Sequence, residues 1–413
     1  MQTARKYIIL LGDGMADLPL EELGGKTPLE YAHTPHMDRI AKEGTLGIID
    51  TIPAGFSPGS DVAIMSLLGY NPVECYTGRG PLEAANMGVQ LGADDIAFRC
   101  NLVTLGGNTE YMMEDFTAGH ISTEEANRII NDINTDLGSM NFQFCPGVSY
   151  RHLLVWRNGK ADLETTPPHD ITGKAIKDYL PRGDGMEDIR SLMERSQVFL
   201  HDHPVNRLRI AKDKKPANSI WLWGQGRAPK FVKLTDKYGL KGGMISAVDL
   251  LNGIGIYAGL KVMRVDGATG YTDTNYNGKA RTALQAIKET DFIFVHLEAP
   301  DEMGHEGNVA GKIRAIEDFD EKIVGVILNE IYGLSPFRLL VLSDHPTPIS
   351  LRTHSSEPSP FAVLSSDKNE NLRNGLTFSE KAALRNGVKV SPGCLLMDPF
   401  IKNWGAFIEE KSG

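Results

Sequence analysis

Unbroken apolar runs that stop on acidic or imidazole residues recur at both ends of the chain. Tyr7-Ile8-Ile9-Leu10-Leu11 leads into Gly12-Asp13-Gly14, and Phe292-Ile293-Phe294-Val295 leads through His296 to Asp301 and His305. Leu339-Leu340-Val341-Leu342 ends in Ser343-Asp344-His345, with His354 a little beyond. Runs without polar alternation predict strands buried on both faces of a parallel sheet, and their polar ends fall at the edge where open α/β sheets place their sites. Helical periodicity fills the intervals. Thr34-Pro35 predicts an N-cap and first helical position for an amphipathic helix through Met37, Ile40 and Ala41 that stops near Gly44. Val62, Met65 and Leu68 put Ser60 at the start of another helix. Later come a helix over 245–260 interrupted by Gly253 and Gly255, a short strand over 261–265, a polar loop over 267–278 and a helix over 279–288. In that loop Asp273 and Asn275 read as turn and cap residues. Strands alternating with helices at both ends predict one sheet assembled from both.

From about Gly80 the pattern changes. Strand candidates at 98–104, 153–156 and 219–223, a capped helix after Ser122-Thr123-Glu124-Glu125 and a helix near 171–180 predict a smaller α/β unit inserted into the first. The glycine pair in Lys241-Gly242-Gly243 reads as a flexible return. The expected division is therefore 1–80 with 242–413, and 81–241 between them.

At 413 residues, 41% hydrophobic and 23% charged, the chain can bury a full core. A formal charge of -10 argues against a nucleic-acid partner, which requires a basic face to neutralise phosphates. Cys75, Cys100, Cys145 and Cys394 lie far apart with no C-x-x-C pair, so neither a structural zinc site nor a disulfide framework is expected, and a reducing cytosol fits. The apolar run at 7–11 is too short for a signal-peptide core, and no stretch approaches the roughly 18 apolar residues that span a bilayer. The expectation is a cytoplasmic protein with no nucleic-acid or membrane partner; a homo-oligomer is left open.

Candidate chemistry gathers at the strand ends. Asp13 alone could be a turn aspartate bonded to its own backbone. Ser60 could be an ordinary N-cap, or a hydroxyl placed where helix N–H groups and the dipole favour a phosphoryl group. Asp301 and His305, four apart, share one face of a helical turn, which by itself is also what a capping acid and an unrelated histidine would look like. Asp13, Asp301, Asp344, His305, His345 and His354 together offer mixed oxygen and nitrogen ligation that suits two divalent ions such as Mn, Zn or Co better than Mg alone. Such a pair would activate a serine hydroxyl and stabilise in-line phosphoryl displacement without a separate general base. Gly24-Gly25-Lys26-Thr27 is not a P-loop, since Leu20 stands where its leading glycine belongs.

Several stretches resemble one family. They are Gly12-Asp13-Gly14, the helix from Thr34 to Ala41, Gly59-Ser60, Thr77 to Pro81, Phe98 to Val103, Gly267 to Tyr276, Asp301-x-x-x-His305, Asp344-His345 and His354. The chain resembles the alkaline phosphatase superfamily and, within it, the archaeal-type branch of cofactor-independent phosphoglycerate mutase. The resemblance implies an alkaline phosphatase-like three-layer α/β/α sandwich with an inserted smaller α/β domain. It also implies a mutase of glycolysis and gluconeogenesis that interconverts 3- and 2-phosphoglycerate, a small phosphorylated hydroxy acid, through a phosphoserine and without bisphosphoglycerate. By the family pattern Asp13, Ser60, Asp344 and His345 would hold one ion and Asp301, His305 and His354 the other, with Mn expected and Zn, Co or Mg as alternatives. The insert would act as a lid and supply cations to the substrate carboxylate. Arg151, His169, Arg207 and Lys241 are the candidates by charge and clustering, since the insert does not align residue by residue with that of the bacterial-type enzymes. The same core admits a homoserine kinase-like phosphotransferase, a metal-dependent phosphatase or sulfatase, or a metal-binding protein without turnover.

Overall fold

The computed structural model describes residues 5–107, 110–334, 336–386 and 388–412. It contains two compact units, Met1–Tyr76 with Phe231–Gly413 and, between these segments, Thr77–Lys230.

The larger unit is built on an eight-stranded sheet in the order Lys261–Val262, Gly242–Ile245, Phe292–Leu297, Lys6–Gly12, Phe337–Leu342, Ser359–Ser365, Thr45–Ile49, Lys389–Val390. Lys6–Gly12 lies at its centre, parallel to Phe292–Leu297 on one side and Phe337–Leu342 on the other. The apolar runs sit here because both faces of these strands are covered. Ile8, Leu10, Ile293, Val295, Leu339 and Val341 pack with helices Pro35–Glu43, Tyr276–Glu289 and Val309–Phe319. On the other face Tyr7 stacks edge-on against Phe400, and Phe361 against Trp404, of helices Met397–Lys402 and Trp404–Ser412. The result is the three-layer α/β/α sandwich that the family resemblance implied.

Several details differ from the sequence reading: the helix expected over 245–260 is Asp249–Tyr257, and the strand expected over 261–265 is Lys261–Val262. Thr34 occupies the N-cap position, but its side chain makes no capping bond; Asp320 instead accepts from the N–H of His36 and Met37 at 3.1 and 2.6 Å. Asp320 stands in the π-helical turn Asp320–Gly325 that continues helix Val309–Phe319, so a distant carboxylate caps where a local hydroxyl was expected. Gly242 and Gly243 are no loose return. They lie inside strand Gly242–Ile245, where a β-carbon would run into Leu260 and Phe292 or into Met263. The glycines serve close packing, and the chain rejoins the larger unit earlier, at Phe231.

The smaller unit is an antiparallel sheet, Met112–Asp115, Ile96–Gly106, Arg151–Trp156 and Phe142–Val148, with Ser219–Gly226 also paired to Ile96–Gly106. Helices Thr123–Asp136, Met186–His201 and Pro204–Ile210 share a core with it through Ile129, Ile133, Leu192, Leu200 and Val205. Ser122 caps the first of them as its sequence predicts. The expected helix near 171–180 is instead two short 3-10 turns, Pro168–Ile171 and Ile176–Tyr179. The N–H groups of Gly173 and Ile176 go to the carbonyls of Met113 and Tyr111, so this segment spends its hydrogen bonds on the neighbouring strand edge.

Candidate metal centre

Register brings the polar residues to one level. Leu11 stands opposite His296 on one side and Leu342 on the other, so Asp13, Glu298 and Asp344 leave the sheet together. The turn after the first strand is tight enough to require glycine. Gly14 has φ +57, a β-carbon on it would collide with Asp301 and Thr347, and its N–H donates to Asp344 Oδ1 at 3.0 Å.

The first group of ligand atoms surrounds Ser60. Its Oγ lies 3.1 Å from Asp13 Oδ2 and 3.2 Å from His345 Nε2. Gly59 holds the N-cap position of helix Ser60–Leu67, so Ser60 is its first helical residue, and the hydroxyl bonds at the sheet edge instead of capping the helix. Asp344 Oδ1 is occupied by two backbone N–H groups, those of Gly14 and His345, at 3.0 and 2.9 Å. Its Oδ2 is buried with no hydrogen-bond partner. Burial, then the neighbouring Asp344 and Asp301, push the Asp13 carboxyl well above the usual carboxylate range. Three carboxylates this close and this buried repel one another unless a cation stands among them.

The second group is Asp301, His305 and His354. Helix Ala299–Glu306 places Asp301 and His305 on one face, with His305 Nε2 3.2 Å from Asp301 Oδ2. The outer nitrogens of the two imidazoles reach carbonyls, His305 Nδ1 that of Arg352 at 3.1 Å and His354 Nδ1 that of Pro58 at 3.2 Å. Those contacts require Nδ1–H, which aims both Nε2 lone pairs at one spot, 3.0 Å apart. Two acceptors cannot remain so close without a proton or an ion between them. Its hydrogen bond to Asp301 pushes His305 up to about 9, so in the ion-free centre a proton takes that place. Asp301 also accepts from Thr347 Oγ1, which lies 3.3 Å from His345 Nδ1, so one threonine ties both groups together.

All seven residues expected at the centre therefore lie at one sheet edge. The donor sets suit divalent cations in number and chemistry: an orphaned carboxylate oxygen in one, two convergent imidazole lone pairs beside a carboxylate in the other. Sequence reasoning passed over His296 and Glu298. His296 Nε2 lies 2.7 Å from Asp13 Oδ2, and Glu298 Oε2 is another buried oxygen without a hydrogen-bond partner. The available signal was an imidazole inside an otherwise apolar strand, followed by an acid just past its end.

The four insert candidates fare differently. Arg151 and His169 join a cluster of the smaller unit that also contains Arg79 and Arg99: Arg99 lies over the Trp223 ring at 4.3 Å, and His169 meets that ring edge-on at 5.5 Å. Burial, and then the nearby Arg79 and Arg151, hold Arg99 below the usual arginine range against the opposing pull of Glu83. Arg207 turns its guanidinium to the carbonyl of Asp202 at 2.9 Å, and Lys241 stands in the larger unit, its N–H on Asp291. The structure thus brings together two of the four and adds two arginines that sequence reasoning did not select.

Fold and site define a class: an α/β/α sandwich carrying a carboxylate–imidazole cluster suited to metal ions. Comparison with known proteins narrows it. The family model described as 2,3-bisphosphoglycerate-independent phosphoglycerate mutase matches residues 41–206. A Methanosarcina mazei protein of that name is 55% identical over 385 residues, 92% of this chain and 96% of that one. A probable enzyme of the same name from Geobacter sulfurreducens is 51% identical over 395 residues, 95% and 98% of the two chains. Among solved structures, a Pyrococcus horikoshii protein superposes with a TM-score of 0.81 at 28% identity, covering 98% of each chain. The cofactor-independent phosphoglycerate mutase of Thermoplasma acidophilum gives 0.66 at 25%, covering 97% of this chain and 100% of that one. The chain belongs to the 2,3-bisphosphoglycerate-independent phosphoglycerate mutase family, a family of metal-dependent isomerases. No helix among the described residues is long and apolar enough to cross a membrane.

Proposed function

We propose that the protein interconverts 3-phosphoglycerate and 2-phosphoglycerate through a phosphoserine at Ser60, without bisphosphoglycerate. The observation that carries this reading is the Ser60 hydroxyl, turned from its own helix onto Asp13 and His345. The names of relatives at 51 and 55% identity support the substrate.

Asp13, Asp344 and His345 would hold one divalent ion together with Ser60, and Asp301, His305 and His354 a second. The two ions would activate the serine oxygen and neutralise charge on the transferred phosphoryl group. Ser60 Oγ, its proton directed at Asp13 Oδ2, attacks phosphorus; the Ser60 O–P bond forms as the bond to the substrate O3 breaks, and the proton Ser60 gives up is matched by the one O3 takes. The reverse transfer to O2 then regenerates the hydroxyl. The start of helix Ser60–Leu67 would favour the negative phosphoryl group through the helix dipole. Of the insert candidates, Arg151 and His169, joined by Arg79 and Arg99, form the group best suited to the substrate carboxylate, because planar guanidinium forks match it. Manganese is the ion we expect, on the mixed donor set.

Phosphorus NMR of the protein reloaded with Zn or Mg, given 3-phosphoglycerate alone, tests the proposal, and a coupled assay with Mn guards against a metal artefact. Appearance of 2-phosphoglycerate without free phosphate supports the mutase. Free phosphate alone makes the protein a phosphatase, and no change in either assay turns attention to homoserine with a nucleotide donor.

A further inference from the structure

The inference concerns His296 and rests on the metal-centre reading above. His296 is fully buried near the end of strand Phe292–Leu297, and each ring nitrogen faces a partner: Nδ1 lies 3.1 Å from Ser246 Oγ and Nε2 lies 2.7 Å from Asp13 Oδ2. The tautomer follows from the chain of donors. Val248 N–H donates to Ser246 Oγ at 3.0 Å, and among the described contacts the Ser246 hydroxyl proton has His296 Nδ1 as its acceptor. Nδ1 is then the bare nitrogen and Nε2 carries the proton, which is what Asp13 requires when an ion holds it as an acceptor-only carboxylate. Glu298 Oε2, at 3.7 Å from Nε2, is too distant to take that proton from Asp13. The backbone at this point is held as well, since buried Lys279 donates Nζ–H to the His296 carbonyl at 3.0 Å.

We propose that His296 is the positioning residue for Asp13: by donating Nε2–H to Oδ2 it presents Oδ1 to the centre, on the side where His345 Nε2 lies 3.5 Å away. A direct ligand role for His296 would need the Nε2 lone pair. That would move the proton to Nδ1 and strip the Ser246 hydroxyl of its acceptor. The histidine therefore acts through Asp13, as hydrogen-bonded neighbours of metal ligands do, and its removal is expected to weaken ion binding at that position about ten- to a hundred-fold.

Calorimetric titration of the metal-stripped full chain with Mn tests this, comparing the wild type with His296→Leu and His296→Gln. The expected result is two ions in the wild type and one of the two sites weakened about ten- to a hundred-fold in His296→Leu. Most of that loss should be recovered in His296→Gln, whose amide N–H reaches the place of Nε2–H. Wild-type affinity at both sites in His296→Leu would overturn the role of His296 alone; a wild type that binds no ion would overturn the metal-centre reading with it. Nitrogen-15 NMR of histidine-labelled, Zn-loaded wild type supplies a readout independent of how the variants fold. A protonated Nε2 on His296 supports the proposal, and an unprotonated one refutes it.

Discussion

The two ends of the same central strands treat buried charge in opposite ways. At the amino end, Arg338 pairs with Glu370 through Nε and Nη2, at 2.9 and 2.6 Å, and Arg5 adds two contacts of 2.9 Å to the same carboxylate. Ser365 donates a further bond at 2.6 Å, and Arg338 also reaches the carbonyl of Phe400 at 2.6 Å. Charge there is paired and its hydrogen bonds are met within the chain. At the carboxyl end, Asp13, Asp344 and Asp301 stand together, two imidazole Nε2 atoms converge to 3.0 Å, and Asp344 Oδ2 has no hydrogen-bond partner. The first arrangement is complete as it stands, and the second requires something the chain does not provide. Stability can be read from satisfied charge, and function from charge left unsatisfied at a cost in stability.

The contrast can be broken at either end. The largest effect is expected from Ser60→Ala, which should lower turnover by about 10⁴-fold or more, since loss of a nucleophile removes the chemical step itself. Ion binding by calorimetry should be largely kept, because the carboxylates and imidazoles remain. Substantial residual interconversion would take Ser60 out of the mechanism.

At the amino end, Glu370→Gln should cost about 3 kcal/mol in urea unfolding, the price of leaving Arg338 buried beside a neutral amide, with turnover per folded molecule unchanged. A loss of turnover instead would mean that the two ends are not independent. The same carboxylate sets an acid dependence. Burial pushes Glu370 up, but hydrogen bonds from Arg338, Ser365 and Arg5 outweigh it and hold the group at about 2 against an ordinary 4.5. Its folded value lies below its unfolded one, so its contribution is fully present above about pH 4.5 and is lost as pH falls toward 2. The gap in unfolding midpoint between wild type and Glu370→Gln should close through that window, and a constant gap would refute the assignment.

The smallest effect sharpens the comparison from the other side. If free Mn stands a hundred-fold above its dissociation constant, chelation should lower stability by about 2.7 kcal/mol, read as a fall in the thermal midpoint. Glu370→Gln should show the same fall on chelation, since its defect lies at the paired end. An unchanged midpoint on chelation would mean that the carboxyl end does not need its cation.

Much of this was legible before the fold. The runs at Tyr7, Phe292 and Leu339 predicted central strands, because burial on both faces leaves no polar alternation for a strand to carry. Their acidic and imidazole ends predicted the centre, because a parallel sheet sends its carboxyl ends to one edge. The local sequence also determined the Ser122 cap and the Asn275 cap, each made within three residues of its helix start. What depended on distant partners was out of reach. Asp320 capping the helix at Pro35, Gly243 packed under Met263, and Gly173 bonding the edge of Met112–Asp115 join residues far apart in the chain. So does the setting of Ser60, whose local sequence suits an ordinary helix start. Only the register that carries Asp13 and His345 beside it placed its hydroxyl among them, because a hydrogen bond is fixed by distance in space, and spacing along the chain bounds that distance only within a single element.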